Sequence, residues 1–162
     1  MVAVCLCTAG AIAQTADSLK IINLQEVVVK GVRAQQNAPF AVANFKKSEL
    51  QSFGKTGREL PFLFANTPGV VAWSENGTGI GTSHIRIRGA ADSRINVTLD
   101  GVALNSPEDQ CVFWANMNSY AALMGSAQIQ RGIGTCTNGD GAFGGTISLA
   151  TAAPSLKPQL EV

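Results

Sequence analysis

Three stretches of this chain alternate polar and apolar residues, and each is followed by residues that turn or break the backbone. His84-Ile85-Arg86-Ile87-Arg88 ends at Gly89, and Ile95-Asn96-Val97-Thr98-Leu99 runs into Asp100-Gly101. Gly145-Thr146-Ile147-Ser148-Leu149-Ala150-Thr151 is the third, with Pro154 and Pro158 beyond it. A period of two puts alternate side chains on opposite faces of an extended backbone, so each run reads as a short, half-buried strand. Asp-Gly is a strong turn signal, and Val102-Ala103-Leu104 resumes after it, which predicts a hairpin centred on Asp100-Gly101. Gln128-Ile129-Gln130-Arg131 before Gly132, Ala41 to Phe45, Val70-Val71 and the β-branched run Val27-Val28-Val29 add further extended segments.

The helical signals are shorter. Ser48 is placed to cap a single turn that ends near Gly54. Thr56 to Asn66 is the best helix candidate. Thr56 stands as its cap, Glu59 has the capping-box spacing, and Leu60, Leu63 and Phe64 share one face. Pro61 falls in the first turns, where its missing N–H is tolerated. Thr67-Pro68-Gly69 stops that helix, and Met117 to Ser126 reads as another short one. Between these elements run loops at 34–39, 76–81, 107–109 and 132–145, the last with six glycines. The expected fold is α+β: a small mixed β-sheet with short helices and long Gly-rich loops.

A chain of 162 residues is enough for one domain with a hydrophobic core. Its net charge of +1 gives no electrostatic reason to expect nucleic acid. Only 14% of residues are charged and 17 are glycine. That is less charged surface than a free soluble domain usually carries, so part of the surface is expected to be covered. Val2 to Ala13 reads as a signal peptide, with Ala11-Ile12-Ala13 as a small-x-small cleavage site. No Lys or Arg follows Met1, as in a signal peptide shortened at its N-terminus. Residues 14–23 form a polar linker, 24–152 the folded domain and 153–162 an exit linker. Cleavage would remove Cys5 and Cys7 and leave Cys111 and Cys136, either a disulfide or two small hydrophobic side chains.

The usual catalytic sets are missing. A hydrolase or transferase needs a nucleophile, a base and an orienting group. The one histidine, His84, starts a strand and reads as a surface residue, and no cysteine spacing fits a metal site. Gly139-Asp140-Gly141-Ala142-Phe143-Gly144 matches G-x-G-x-x-G, but a strand follows it where a dinucleotide site needs a helix. No glycine-rich run leads into Lys-Ser or Lys-Thr, so a phosphate loop is absent as well. No enzyme activity, cofactor or metal is expected.

Four ordered segments carry more information together than any one alone. They are Glu26-Val27-Val28-Val29; Leu60 through Thr67-Pro68-Gly69-Val70; Ile85-Arg86-Ile87-Arg88-Gly89 followed by Val97 to Leu104; and Ile129-Gln130-Arg131-Gly132 followed by Gly139 to Leu149. In this order they resemble the plug domain of TonB-dependent outer-membrane receptors. Where that family often has Tyr-Gly before Gly-Gly, Ala142-Phe143-Gly144-Gly145 stands here, a departure that keeps the aromatic.

The resemblance implies a transport component: an exported domain in the outer membrane that fills a 22-stranded barrel, with its N-terminus toward the periplasm. About 22 strands of roughly 10 residues need on the order of 220 residues, so the barrel is not within these 162. Glu26, Val27, Val28 and Val29, inside a TonB-box-like segment at 24–30, would add as an edge strand to TonB. Arg88 and Arg131, each before a glycine, would face charged barrel residues. Gly89, Asp100, Gly101, Gly132, Gly144 and Gly145 are read as structural turns. The imported ligand would meet the loops around 74–83 and 105–116, with Trp73, Phe113 and Trp114 nearby; a ferric siderophore, cobalamin or similar compound is the expected class. A standalone periplasmic binding or signalling module, or a nonfunctional receptor fragment, is the alternative.

Overall fold

The computed structural model describes residues 33–34, 39–134 and 141–154. The segments read as signal peptide (1–13) and polar linker (14–23), the 24–30 segment, Cys136, Gly139 and most of the segment read as an exit linker (153–162) lie outside them.

Seven strands form in chain order: β1 (Ala41–Lys46), β2 (Val70–Ser74), β3 (Ser83–Ile87), β4 (Ile95–Leu99), β5 (Val102–Ala103), β6 (Met124–Arg131) and β7 (Gly145–Thr151). Five of them make one sheet in the order β1-β6-β7-β4-β5, and β2 pairs with β3 in a separate two-stranded ribbon. All pairings are antiparallel except β4 with β7, where Ile95 faces Gly145 and Leu99 faces Leu149. A parallel pair needs a long crossover, and residues 100–144 supply it while contributing β6 on the way. The fold is thus α+β with a small mixed sheet.

The hairpin at Asp100-Gly101 forms as its residues require. Asp100 (φ 49°) and Gly101 (φ 86°) are both left-handed, the conformation a two-residue hairpin with the sheet's own twist demands. The Asp100 carboxylate accepts from the Thr151 amide (3.0 Å) and hydroxyl (2.8 Å), tying the turn to the last residue of β7.

One face of the sheet carries Ile129 of β6 and Ile147 and Leu149 of β7 into a core shared with Leu50, Phe64, Ile85, Ile87 and Trp114. Phe64 meets Phe45 at 5.4 Å and Trp114 edge-on at 6.4 Å between ring centres. The opposite face differs from the half-buried expectation. Asn96, Thr98, Gln128, Gln130, Thr146 and Ser148 point away from the core, yet they too are buried. Part of their cover is the Arg33–Ala34 segment. Gln128 exchanges both hydrogen bonds with the Ala34 backbone at 2.9 Å, as a strand neighbour would. The Arg33 guanidinium donates to the Ser126 hydroxyl and to the Ser126 and Ser148 carbonyls.

The helices depart from expectation. Helix α1 (Lys47–Gly54) has two turns, and its cap residue is Lys46; Ser48 lies inside the first turn. The Lys46 amide donates to Glu49 at 2.8 Å. The segment 56–66 is helical only over α2 (Leu60–Phe64). Thr56 donates its hydroxyl to Phe53 instead of capping, and Glu59 is drawn elsewhere. Leu60, Leu63 and Phe64 are buried as their spacing indicates. Met117 to Ser126 is not one helix. A 3-10 turn (Trp114–Met117) and a single turn, α3 (Tyr120–Leu123), give way to β6 at Met124, because Met124 pairs with Thr151 and Ser126 pairs with Lys46. Strand pairing overrides the helix propensity of that stretch.

Candidate functional site

Glu59 organises one side of the site. Its side chain is completely buried. One carboxylate oxygen accepts from the Gly81 amide at 2.6 Å, and the other accepts from the Ser83 hydroxyl. The Glu59 amide donates to the Gly79 carbonyl at 3.0 Å. The β2–β3 loop is therefore fastened to the start of α2 from beneath, while Asn76 holds its tip through Thr78 and Ile80. A buried carboxylate persists only with such donors.

Asn105 plays the same part for the second loop. Its carbonyl accepts from the Val97 amide (2.8 Å), and its amide donates to the Ile95 (2.9 Å) and Gln110 (2.7 Å) carbonyls. Residues 105–111 are thereby stitched to the edge of β4.

The two loops meet around a pocket of about 130 Å³ whose lining includes His84, Asp92, Asp109, Cys111, Phe113 and Trp114. His84 links its walls. Nδ1 lies 3.0 Å from Asp92 Oδ2, Nε2 lies 3.6 Å from Glu75 Oε1, and the ring stacks on Trp73 at 5.3 Å and 25°. The hydrogen bond with Asp92 raises the imidazole pKa against the opposing effect of burial, with Glu75 adding to the rise. Burial pushes the Asp92 carboxyl up, but hydrogen bonds from His84, Cys111 and the Ser93 amide outweigh it and hold the pKa below the usual value.

A thiol, an imidazole and a carboxylate this close would suit a cysteine nucleophile, but the arrangement is unarmed. Burial, with Asp92 nearby, pushes the Cys111 thiol up to about 11. A nucleophilic cysteine needs the opposite shift. Its Sγ donates to the Asp109 carbonyl at 3.4 Å. Among the described residues no three His, Cys, Asp or Glu side chains come together to hold a metal. No helix among them is long and apolar enough to cross a membrane.

The aromatics named from the sequence separate. Trp114 is 2% exposed and belongs to the core with Phe64, presenting only part of its ring to the pocket. Phe113 is 61% exposed at the rim. Trp73, 38% exposed, lies behind His84 with the Arg86 guanidinium 5.3 Å from its ring centre, and it does not line the pocket.

The two Arg-Gly motifs converge on the Pro68-Gly69 turn. Arg131 donates to the Pro68 carbonyl at 2.6 Å, and the Arg88 amide donates to the Gly69 carbonyl at 2.7 Å. The Arg88 side chain passes over both Gly69 and Gly132 and stays exposed. Gly89 and Gly132 take left-handed turn conformations. Gly144 and Gly145 are not turn glycines of that kind; Gly145 is already within β7. They are small because space is short. A Cβ on Gly144 would stand 2.4 Å from the Ala90 Cβ, and one on Gly145 would stand 2.6 Å from the Gln130 carbonyl oxygen. Sequence reasoning missed Glu59, taken for a helix cap, as well as Asp92 and Asn105. An acidic residue before an apolar helical run does signal a cap, and nothing local distinguishes the buried case.

A family model described as the TonB-dependent receptor plug domain matches residues 34–146, and the chain belongs to that family. Solved receptors carry the same fold. The siderophore receptor PirA from Acinetobacter baumannii aligns with a TM-score of 0.55 at 21% identity, over 70% of this chain and 17% of that one. The ferric enterobactin receptor PfeA from Pseudomonas aeruginosa aligns at 0.54 and 18% over 72% and 18%. The hemophore receptor HasR from Serratia marcescens aligns at 0.51 and 18% over 72% and 17%. At these identities the likeness is one of fold, and this chain spans less than a fifth of each receptor. No curated protein matches significantly.

Proposed function

We propose that this domain is the gate of an outer-membrane transporter, closing a 22-stranded barrel and meeting the imported ligand at the pocket between the 74–83 and 105–116 loops. The observation that carries the proposal is the plug-family match across residues 34–146. Support comes from the surface. Val71, Val102, Leu123, Ile133 and Phe143 are large apolar side chains left exposed, which suits a domain enclosed by a wall. In this reading the exposed Arg88 guanidinium, together with Arg131, faces charged groups of that wall. Phe113 at the rim contacts the ligand, with Trp114 behind it and Trp73 alongside. Glu26 to Val29 is where TonB adds a strand, in the outer membrane with the N-terminus toward the periplasm.

The ligand class is proposed more narrowly than the fold allows. The solved neighbours are receptors for a siderophore, ferric enterobactin and a hemophore, together with a copper transporter. We take the ligand to be a ferric siderophore, cobalamin or a similar compound, in keeping with those neighbours. The test is uptake by the full receptor carrying this domain, supplied with radiolabelled ferric siderophores or cobalamin. Val28→Pro is expected to abolish uptake, because proline removes a donor from the added strand. Full uptake in that variant overturns the TonB assignment, and failure to accumulate either ligand class overturns the ligand assignment.

A further inference from the structure

His84 draws side chains from three pieces of chain together. It stands on β3, paired across the ribbon with Trp73. Its Nδ1 faces Asp92 in the 3-10 turn before β4, and its Nε2 faces Glu75, the first residue of the β2–β3 loop. Cys111 of the second loop lies near Asp92 and donates its thiol proton to the Asp109 carbonyl. Behind the ring lies Trp73 with Arg86 over it, and Asp109 is the remaining charged group near the cysteine.

The two carboxylates place different demands on the ring. A neutral imidazole carries one N–H. With that proton on Nδ1, the bond to Asp92 at 3.0 Å survives deprotonation. Nε2 then bears a lone pair facing the Glu75 carboxylate across 3.6 Å, and attraction turns to repulsion. The link to Glu75 thus exists only in the imidazolium, and losing the Nε2 proton to solvent frees the Glu75 carboxylate beside the pocket while the Asp92 bond on the pocket wall stays.

We propose that His84 is a proton-operated clasp beside the pocket, holding the Glu75 end of the β2–β3 loop when the imidazole is charged and releasing it when the imidazole is neutral, with the Asp92 bond on the pocket wall kept in both states. The role in admitting ligand rests on the gate reading above; the clasp itself does not. Its chemistry suits a domain met by ligand arriving from outside the cell, where pH is not buffered by the cell.

The experiment uses the full chain, in which His84 is the sole histidine and Trp73 one of two tryptophans. The imidazole is titrated by NMR between pH 5 and 9 while the amides of Glu75 to Gly81 and a 5-fluorotryptophan label are followed; Trp73→Phe assigns the label's two signals. The expected result is a His84 midpoint above that of a free imidazole, with the loop amides and the Trp73 fluorine signal moving at the same midpoint. Glu75 is two-thirds exposed, so Glu75→Gln leaves the fold intact; it is expected to lower the midpoint and to uncouple the loop amides from it. A loop that stays still while His84 titrates, or a midpoint unchanged in Glu75→Gln, overturns the clasp. Neither result bears on the plug family, which rests on the match across residues 34–146, or on the gate reading, which stands or falls on transport.

Discussion

Replacing Glu59 tests how the β2–β3 loop is held. Glu59→Ala removes both acceptors and leaves the Gly81 amide and the Ser83 hydroxyl without partners in a buried place. Hydrogen bonds to a carboxylate are worth about 1.5–3 kcal/mol each, and orphaned donors keep their desolvation penalty. Two such bonds, the one to Gly81 only part-buried, put the loss at about 3–5 kcal/mol, a large share of the roughly 5–15 kcal/mol that holds a domain together. Glu59→Gln keeps a carbonyl oxygen for Gly81, and the Ser83 hydroxyl can rotate to accept from the new amide, so the loss falls to about 1–2 kcal/mol. Urea unfolding of the full chain reads the difference. With a slope of about 1.5 kcal/mol per molar urea, Glu59→Ala moves the midpoint down by about 2–3 M and Glu59→Gln by about 1 M. An alanine variant within about 1 kcal/mol of the parent, or a glutamine variant as damaged as the alanine one, would show that the carboxylate does not fasten the loop.

Other substitutions probe separate parts of the frame. Gly145→Ala drives a methyl into the Gln130 carbonyl at 2.6 Å and should cost about 1–3 kcal/mol, seen as a lower melting temperature; an unchanged melt refutes the tight β6–β7 approach. Arg33→Ala removes donors to Ser126 and Ser148 and should cost about 1–2 kcal/mol in the same assay, with faster amide exchange at the centre of β6. Site-resolved alkylation of Cys111 should be negligible at neutral pH and rise only as pH approaches about 11; rapid labelling of the folded chain at pH 7 would contradict the half-buried, carboxylate-flanked thiol. Because the folded His84 pKa is raised, its stabilising contribution is complete below the unfolded imidazole value and is lost as pH climbs through the folded one. Denaturation midpoints should therefore fall across that alkaline side, and the fall should flatten in Glu75→Gln.

The alternating runs were legible because period-two patterning is a property of the strand itself. β3, β4 and β7 lie where the alternation places them, and the Asp100-Gly101 turn needs no distant partner to be recognised. What escaped depends on residues far apart in sequence. The burial of Asn96, Thr98 and Ser148 follows from what crosses their face, and Ser126 meets Arg33 from 93 positions away. Glu59 obeys the local rule for a cap and is claimed by Ser83, 24 positions on. His84 reads as a surface strand residue until Asp92 and Glu75 are brought against its two nitrogens. Trp73, Phe113 and Trp114 looked alike in sequence, and only packing sorts the core ring from the rim.

The Arg33 contact carries one more consequence. The chain enters the described domain at Arg33, whose guanidinium grips the Ser148 carbonyl, and it leaves at Thr151, which is moored to Asp100. Ser148 and Thr151 are three residues apart on β7, about 10 Å of extended chain, and the remaining Arg33–Ala34 bonds fall on Ser126 and Gln128 of neighbouring β6. Tension applied ahead of Arg33 would thus be reacted on β6 and β7 together, along a short shear line at the sheet's polar side. The bonds on that line are ones water can replace as they part, and the apolar layer on the opposite side is not in the path. A load of that kind would strip the cover from the sheet and leave the core beneath it assembled.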